Sequence, residues 1–254
     1  MSELLFAIKS GFGWLSTIPV GISMEGIDTL MNHVYVFPFI GLVLGVLLGL
    51  LSGLVSQLLP EELAAMTIII AIYKLCGINH IDGLADFGDG IMAHGPAENK
   101  VKAMKDLNLG TGGVIFLTIL VISYFAIISN LPVYLVPAAI IASEVSAKQS
   151  MVTFSAFSVS LQKGFGQIMI EKTDKHKFLI SLILAAIFCA AILGPLGLVA
   201  LTASQVIAVY LIYVAKRNFG GSTGDIIGAT NEIGRGMALA TCLTLGGVIP
   251  WTLW

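Results

Sequence analysis

Residues 33–59 contain no charged side chain when His33 is neutral, and no other feature restricts the fold of this chain so severely. In hydrocarbon every backbone N–H and C=O must be paired internally, so a run of this length is stable there as a helix. Further apolar runs occupy 63–81, 112–130, 133–152, 178–196, 197–215 and 235–254, the fifth and sixth spans being hinged at Gly194-Pro195-Leu196-Gly197. The expected fold is all-α: a polytopic membrane helix bundle of about seven spans. Charged residues are only 11% of the chain, too few for a separate soluble domain, so residues 1–254 read as a single integral membrane domain. Residues 1–32 are apolar but broken by Lys9, Gly11, Gly13, Pro19 and Gly21, which predicts an interfacial or re-entrant segment. Gly41, Gly45 and Gly49 recur at i, i+4 inside the first span, a spacing that lets helix backbones approach closely. Cys76, Cys189 and Cys242 lie inside apolar runs without CxxC spacing, which argues against a disulfide or zinc role.

The cations orient the bundle. Lys100, Lys102 and Lys105 follow the second span; Lys148, Lys163, Lys172, Lys175 and Lys177 surround the connection from fourth to fifth; Lys216, Arg217 and Arg235 fall between sixth and seventh. The turns near 60, 131 and 195 carry none, so the positive-inside rule places every long polar connection on the cytoplasmic face of the cell membrane. Glu144 and Lys148, at i, i+4, read as an internal ion pair. No nucleic-acid partner is expected, and a homo-oligomer is compatible with the sequence.

Against this apolar background stands one acidic run, Asn79-His80-Ile81-Asp82-Gly83-Leu84-Ala85-Asp86-Phe87-Gly88-Asp89-Gly90. Asp82, Asp86 and Asp89 at i, i+4, i+7 share a helix face within roughly a 60° arc. No Lys or Arg lies between Lys74 and Lys100, so three like charges stand together without a sequence-local cation. A hard divalent ion, Mg²⁺ or Mn²⁺, suits such an oxygen-only set, whereas the EF-hand calcium pattern is absent. A continuous helix from Pro60 would rise about 33 Å by Asp82, bringing these acids out at the interface opposite Pro60. His80 lacks the companions of a zinc site and is expected to hydrogen-bond or to contact phosphate.

Two further polar motifs follow. Met104-Lys105-Asp106 precedes a glycine-rich helix entry at Gly110 and Gly113, whose amides could bind an anion such as phosphate; a plain loop with a glycine hinge fits equally well. Gly221-Ser222-Thr223-Gly224-Asp225 leads to Gly228 and Glu232, with Ser222 or Thr223 as a helix cap and Asp225 and Glu232 on one face. That is either a second acidic edge facing the first or simple capping with solvated acids. Carboxylates on one helix face approach an ion from one side only, so Asp225 and Glu232 are expected to complete a metal site with Asp82, Asp86 and Asp89.

The three motifs in this order, His80-Ile81-Asp82-Gly83-Leu84-Ala85-Asp86 with Asp89-Gly90, then Met104-Lys105-Asp106 with Gly110 and Gly113, then Gly221 through Asp225 with Gly228-Ala229 and Glu232, resemble the cobalamin synthase family. Leu15-Ser16-Thr17-Ile18-Pro19 and Phe37-Pro38-Phe39-Ile40-Gly41 are weaker matches, so the likeness spans nearly the whole chain. Departures are Gly77-Ile78, where the family often has Gly-Gly, Leu107-Asn108 for Ser-Arg, and Thr17 for a basic residue. The resemblance implies an adenosylcobinamide-GDP ribazoletransferase, in which α-ribazole or its 5′-phosphate displaces GMP from adenosylcobinamide-GDP with Mg²⁺. It also implies catalytic roles for Lys105, Asp106 and His80, metal ligation by the five acids, and substrate contacts at Gly110, Gly113, Ser222 and Thr223. A CDP-alcohol phosphotransferase has a similar Asp-Gly-x-x-Ala run, but its Arg would stand where Asp86 is and its downstream Asp pattern is missing. A secondary transporter would place its acids near the midplane, and a purely structural subunit would need none of the three motifs.

Overall fold

A computed structural model describes residues 2–161 and 163–250, and among these every regular element is helical apart from an isolated bridge between Ser160 and Ser222. In chain order the helices are α1 (Glu3–Leu15), α2 (Met24–Asn32), a 3₁₀ turn (Val34–Val36), α3 (Phe37–Leu58), α4 (Glu61–Cys76), α5 (Asn79–Met92), α6 (Ala97–Met104), α7 (Thr111–Asn130), α8 (Val136–Phe157), α9 (Phe165–Lys172), α10 (Lys175–Phe219) and α11 (Gly224–Leu245). Three stretches, Val34–Leu58, Thr111–Asn130 and Lys175–Phe219, are long and apolar enough to cross a membrane, and α4 with α5 qualifies as a fourth when taken together. The first 32 residues form two short helices instead. Ser2 and Ser23 cap them by accepting from the amides of Leu5 and Gly26, and α1 packs against α2.

Between α4 and α5 the structure departs from the straight helix expected over 63–81. The chain bends by 98°. Gly77 takes φ +76°, which a side chain would strain, and Thr17 terminates α4 by donating its hydroxyl to the Lys74 carbonyl and its amide to that of Leu75. The two ends of α5 then meet helix ends on one side of the bundle: His80 and Gly83 lie against the start of α11, and Phe87 stacks near Phe219 at the end of α10. Consequently α5 lies across that mouth and does not continue the line of α4.

The 45 residues of α10 are not one rod. Ser181 donates to Gln149, and Ser204 bonds Ser150, its neighbour on α8. In an uninterrupted helix residues 181 and 204 would be about 35 Å apart. Leu193 (φ −131°, ψ 16°) and Gly194 (φ 52°, ψ −135°) leave helical geometry just before Pro195, and Gly197 returns against the Cys189 carbonyl. The chain therefore folds back as two antiparallel arms, turning at the hinge that the Gly-Pro motif predicts.

At the centre stands α8, where every residue from Ala142 to Ser155 is buried. Covered by α3, α10 and α11, it meets protein and not lipid. That is why it tolerates Glu144, Lys148 and Gln149 and shows less apolar bias than its neighbours. α3 packs antiparallel on it through glycines: Cβ atoms on Gly41 and Gly45 would stand 2.7 Å from the Glu144 carbonyl and 3.0 Å from that of Ile141. α11 differs from the expected span 235–254. It begins eleven residues earlier, at Gly224, and ends at Leu245, while 251–254 lie outside the described residues. Arg235 is accordingly mid-helix and fully buried, not part of a polar connection.

Gly45→Val is expected to force α3 from α8 and cost about 1–3 kcal/mol. Thermal unfolding in detergent should show a lowered midpoint, with Gly247→Ala, which meets nothing within 4 Å, as the neutral control.

Candidate active site at the mouth of the bundle

Glycines bring the acids of α5 to those of α11. A Cβ on Gly83 would lie 2.7 Å from the Asp225 carbonyl oxygen, and one on Gly228 would lie 3.2 Å from the His80 Cα. The two helices therefore cross backbone to backbone, with Asp82 exposed and Asp86 and Asp225 half-buried beside the crossing. Burial, and then the like charges of Asp225, Asp82 and Asp89, raise the Asp86 carboxyl to about 6. Among the described residues no ion pair involves Asp82, Asp86 or Asp225. The hydroxyl of Thr223 orients Asp225 from 3.2 Å, with the Met104 sulfur 3.4 Å away. That contact sets Lys105 at the rim, where its charge acts on Asp225.

Asp89 has a different task. Its Oδ2 accepts from the amide of Gly110 and its Oδ1 from that of Gly113, each at 2.8 Å, so the N-terminus of α7 already holds an anion, the protein's own. The amides that the sequence offers to a phosphate are those two. Asp106, fully exposed, folds back onto the backbone and side-chain amides of Asn108, both at 2.9 Å, and these hold its carboxyl below the usual range. Ser222 is buried in the strap between the 159–161 and 220–223 segments, where it bonds the backbone of Val159 and Leu161. His80 is 8% exposed and lies behind the crossing.

Glu232 is not brought to the acid cluster. Two turns further along α11, its Oε1 accepts from Asn231 (2.8 Å) and its Oε2 from Arg235 (2.6 Å) and Tyr73 (3.2 Å), with the Tyr124 hydroxyl donating to its carbonyl. Arg235 also binds Glu144 with Nε at 2.6 Å and Nη2 at 3.3 Å, and Lys148 reaches Asn231 at 2.8 Å and Glu144 at 3.6 Å. Two glutamates thus balance one arginine and one lysine inside the bundle. The ion pair of Glu144 with Lys148 is present as expected; the part of Arg235 was hidden by counting it among the cytoplasmic cations, although its i, i+3 spacing from Glu232 was a readable signal.

Among the described residues no three Asp, Glu, His or Cys side chains converge closely enough to hold a metal ion by themselves. A pair or trio of loosely facing carboxylates is still the donor set that suits Mg²⁺, which keeps waters and takes one or two carboxylates together with substrate phosphates.

Comparison with known proteins follows the same lines. The family described as "Cobalamin-5-phosphate synthase" matches residues 7–243. A protein of Methanosarcina mazei named adenosylcobinamide-GDP ribazoletransferase is 41% identical over the whole of both chains. Those of Methanococcoides burtonii (39%, covering 92% of this chain and 90% of the relative) and Archaeoglobus fulgidus (33%, 94% and 97%) carry the same name. No solved structure matches significantly.

Two outcomes are expected from this geometry. Because the folded-state value of Asp86 lies above the ordinary 3.8, the metal-free folded chain binds more protons than the unfolded chain between 3.8 and about 6. Stability contributed by this group should fall as pH rises through that window, and Asp225→Asn should flatten the fall in detergent thermal midpoints. Separately, Arg235→Met leaves two buried glutamates short of a cation and should cost about 3–5 kcal/mol. Adding Glu144→Gln to it, which restores the charge balance, should recover part of that loss in the same unfolding measurement.

Proposed function

This chain belongs to the cobalamin-5-phosphate synthase family, and from that premise we propose that it joins adenosylcobinamide-GDP to α-ribazole, or to α-ribazole 5′-phosphate, with release of GMP. The observation that carries the reading is the meeting of Asp82 and Asp86 on α5 with Asp225 on α11, at a glycine crossing with no paired cation among the described residues. In the reaction a hydroxyl oxygen of the ribazole forms a bond to the phosphorus nearer the cobinamide. The bond from that phosphorus to the bridging oxygen breaks, GMP leaves with the bridging oxygen, and the hydroxyl proton is released. Displacement at a diphosphate is limited by the repulsion of its oxygens and by alignment of nucleophile and leaving group. Mg²⁺ or Mn²⁺ held by Asp82, Asp86 and Asp225 would neutralise those oxygens.

The remaining residues divide by what they touch. Lys105, exposed at the rim, supplies a cation to a diphosphate oxygen, and Asp106 shapes its loop through Asn108. Thr223 orients Asp225, and Ser222 braces the loop that presents it. Asp89 secures the α7 entry through Gly110 and Gly113, and Glu232 serves Arg235, so neither is assigned to the metal in this mechanism.

The same proposal includes seven crossings: α3, α4, α7, α8, the two arms of α10, and α11. The mouth shares its side with Lys100, Lys102, Lys105, Lys163, Lys172, Lys175, Lys177, Lys216 and Arg217, which supports a cytoplasmic active site in the cell membrane.

The test is GMP release by the protein in liposomes supplied with adenosylcobinamide-GDP, α-ribazole and Mg²⁺. Asp82→Asn, Asp86→Asn and Asp225→Asn should each lower turnover roughly 10²-fold or more while still inserting. Chelation should stop the reaction and Mg²⁺ or Mn²⁺ restore it. Near-wild-type release by Asp82→Asn or Asp86→Asn would overturn the metal assignment.

A further inference from the structure

Behind the crossing of α5 and α11 lies a cavity of about 180 Å³ that the assignments above leave unused. Its walls come from five helices: Trp14 of α1, Met151 of α8, Phe165 and Met169 of α9, the Asn79-His80 start of α5, and Gly224, Ile227 and Gly228 of α11. Asp225 borders it as well, so the cavity and the acid cluster share one carboxylate. We propose that this cavity takes the heterocyclic base of the incoming ribazole nucleoside, an inference that rests on the transferase reading above.

Size decides what class of group can enter. An enclosed space of about 150 Å³ admits a single benzene ring, so this one suits one small fused ring system and excludes a corrin. The lining then selects among bases. Trp14 and Phe165 stand edge to face, centroids 5.4 Å apart at 65°, and Met151 and Met169 line the same space. Aromatic faces and polarizable sulfur favour a flat, weakly polar ring. The benzimidazole of α-ribazole carries one ring-nitrogen acceptor and is otherwise apolar. Guanine, the other base in the reaction, carries several donors and acceptors on its edges, and burying them against thioethers and aromatic carbon would leave most unpaired. Besides the Trp14 indole N–H, the polar side chains of the lining are those of Asn79, His80 and Asp225, enough to meet one ring nitrogen and the start of a ribose.

Position agrees with chemistry. A base seated between Trp14 and Met169 directs its ribose toward Asp225, which is where the acids of α5 would hold the diphosphate. Gly166 and Gly224 form part of the wall without side chains; a Cβ on Gly166 would stand 2.6 Å from the Gly224 amide nitrogen. The N-terminal segment therefore does more than cover the bundle: through Trp14 it closes the nucleoside side of the site.

Steady-state kinetics of the full chain in liposomes, varying each substrate in turn, tests this. Trp14→Ala and Phe165→Ala should raise KM for α-ribazole roughly tenfold, the loss expected on removing an aromatic neighbour of a base. KM for adenosylcobinamide-GDP should stay within about twofold, and Trp14→Phe should restore most of the ribazole affinity. A raised KM for adenosylcobinamide-GDP with that for α-ribazole unchanged would overturn the proposal in favour of the guanosine end. A fall in kcat alone would also overturn it, reducing Trp14 to packing. Equilibrium dialysis with α-ribazole gives a readout free of turnover: binding lost in Trp14→Ala supports the cavity even if the wild type releases no GMP. Absence of GMP release by itself would count against the transferase reading.

Discussion

A guanidinium with no access to solvent sits in the middle of this bundle, and much of the architecture follows from the need to satisfy it. Arg235 donates two bonds to Glu144 on α8 and one to Glu232 on its own helix, and Tyr73 of α4 and Tyr124 of α7 donate in turn to Glu232. Four helices are thereby held at one depth. Paired charges inside a low-dielectric interior add little net stability over an apolar core, but each contact is costly to break, so sliding α11 by a turn would part Arg235 from Glu144, Asn231 from Lys148, and Glu232 from Tyr73 and Tyr124. The network therefore acts as a depth stop. It sets how far α11 extends, and so where Asp225 emerges at the mouth.

With the depth of α11 set, close backbone approach settles the rest of the site. Gly83 and Gly228 let α5 cross α11, Gly88 and Gly112 let it lie along the start of α7, and Gly77 supplies the bend that lays α5 across the end of the bundle. A side chain at any of these crossings would hold the acids of α5 away from Asp225. The need for small residues is thus tied to the chemistry: like charges remain close only where backbones hold them there. Burial first, and that enforced proximity second, raise the carboxyl of Asp86.

Five carboxylates of similar sequence prominence end in three different situations. Asp82, Asp86 and Asp225 stand at the mouth with no ion-pair partner among the described residues, Asp89 is bound at both oxygens by the α7 amides, and Glu232 is enclosed by donors. The difference lies in what packs against each carboxylate, not in residue type or spacing. The same distinction separates α8 from α3 or α7: α8 is polar because protein surrounds it, and its neighbours are apolar because one face of each is turned outward.

How much of this was legible beforehand follows from the range of the forces involved. Helical class, the glycine seam of α3, the turn at Gly194-Pro195, the acidic face of α5 and the family likeness are local or periodic properties, and the sequence by itself determined them. The 98° bend after Cys76 was missed because a left-handed glycine looks, in a sequence, like any other glycine in an apolar helix. Arg235 was misplaced because a charge rule that works for loops cannot recognise a cation held in part by a glutamate 91 residues away. The cavity bounded by Trp14, Phe165 and Asp225 left no sequence signal, since its walls are contributed by five helices with no common spacing. Which carboxylates remain free for chemistry was decided only by tertiary structure, because a partner's identity depends on distances that no single stretch of chain contains.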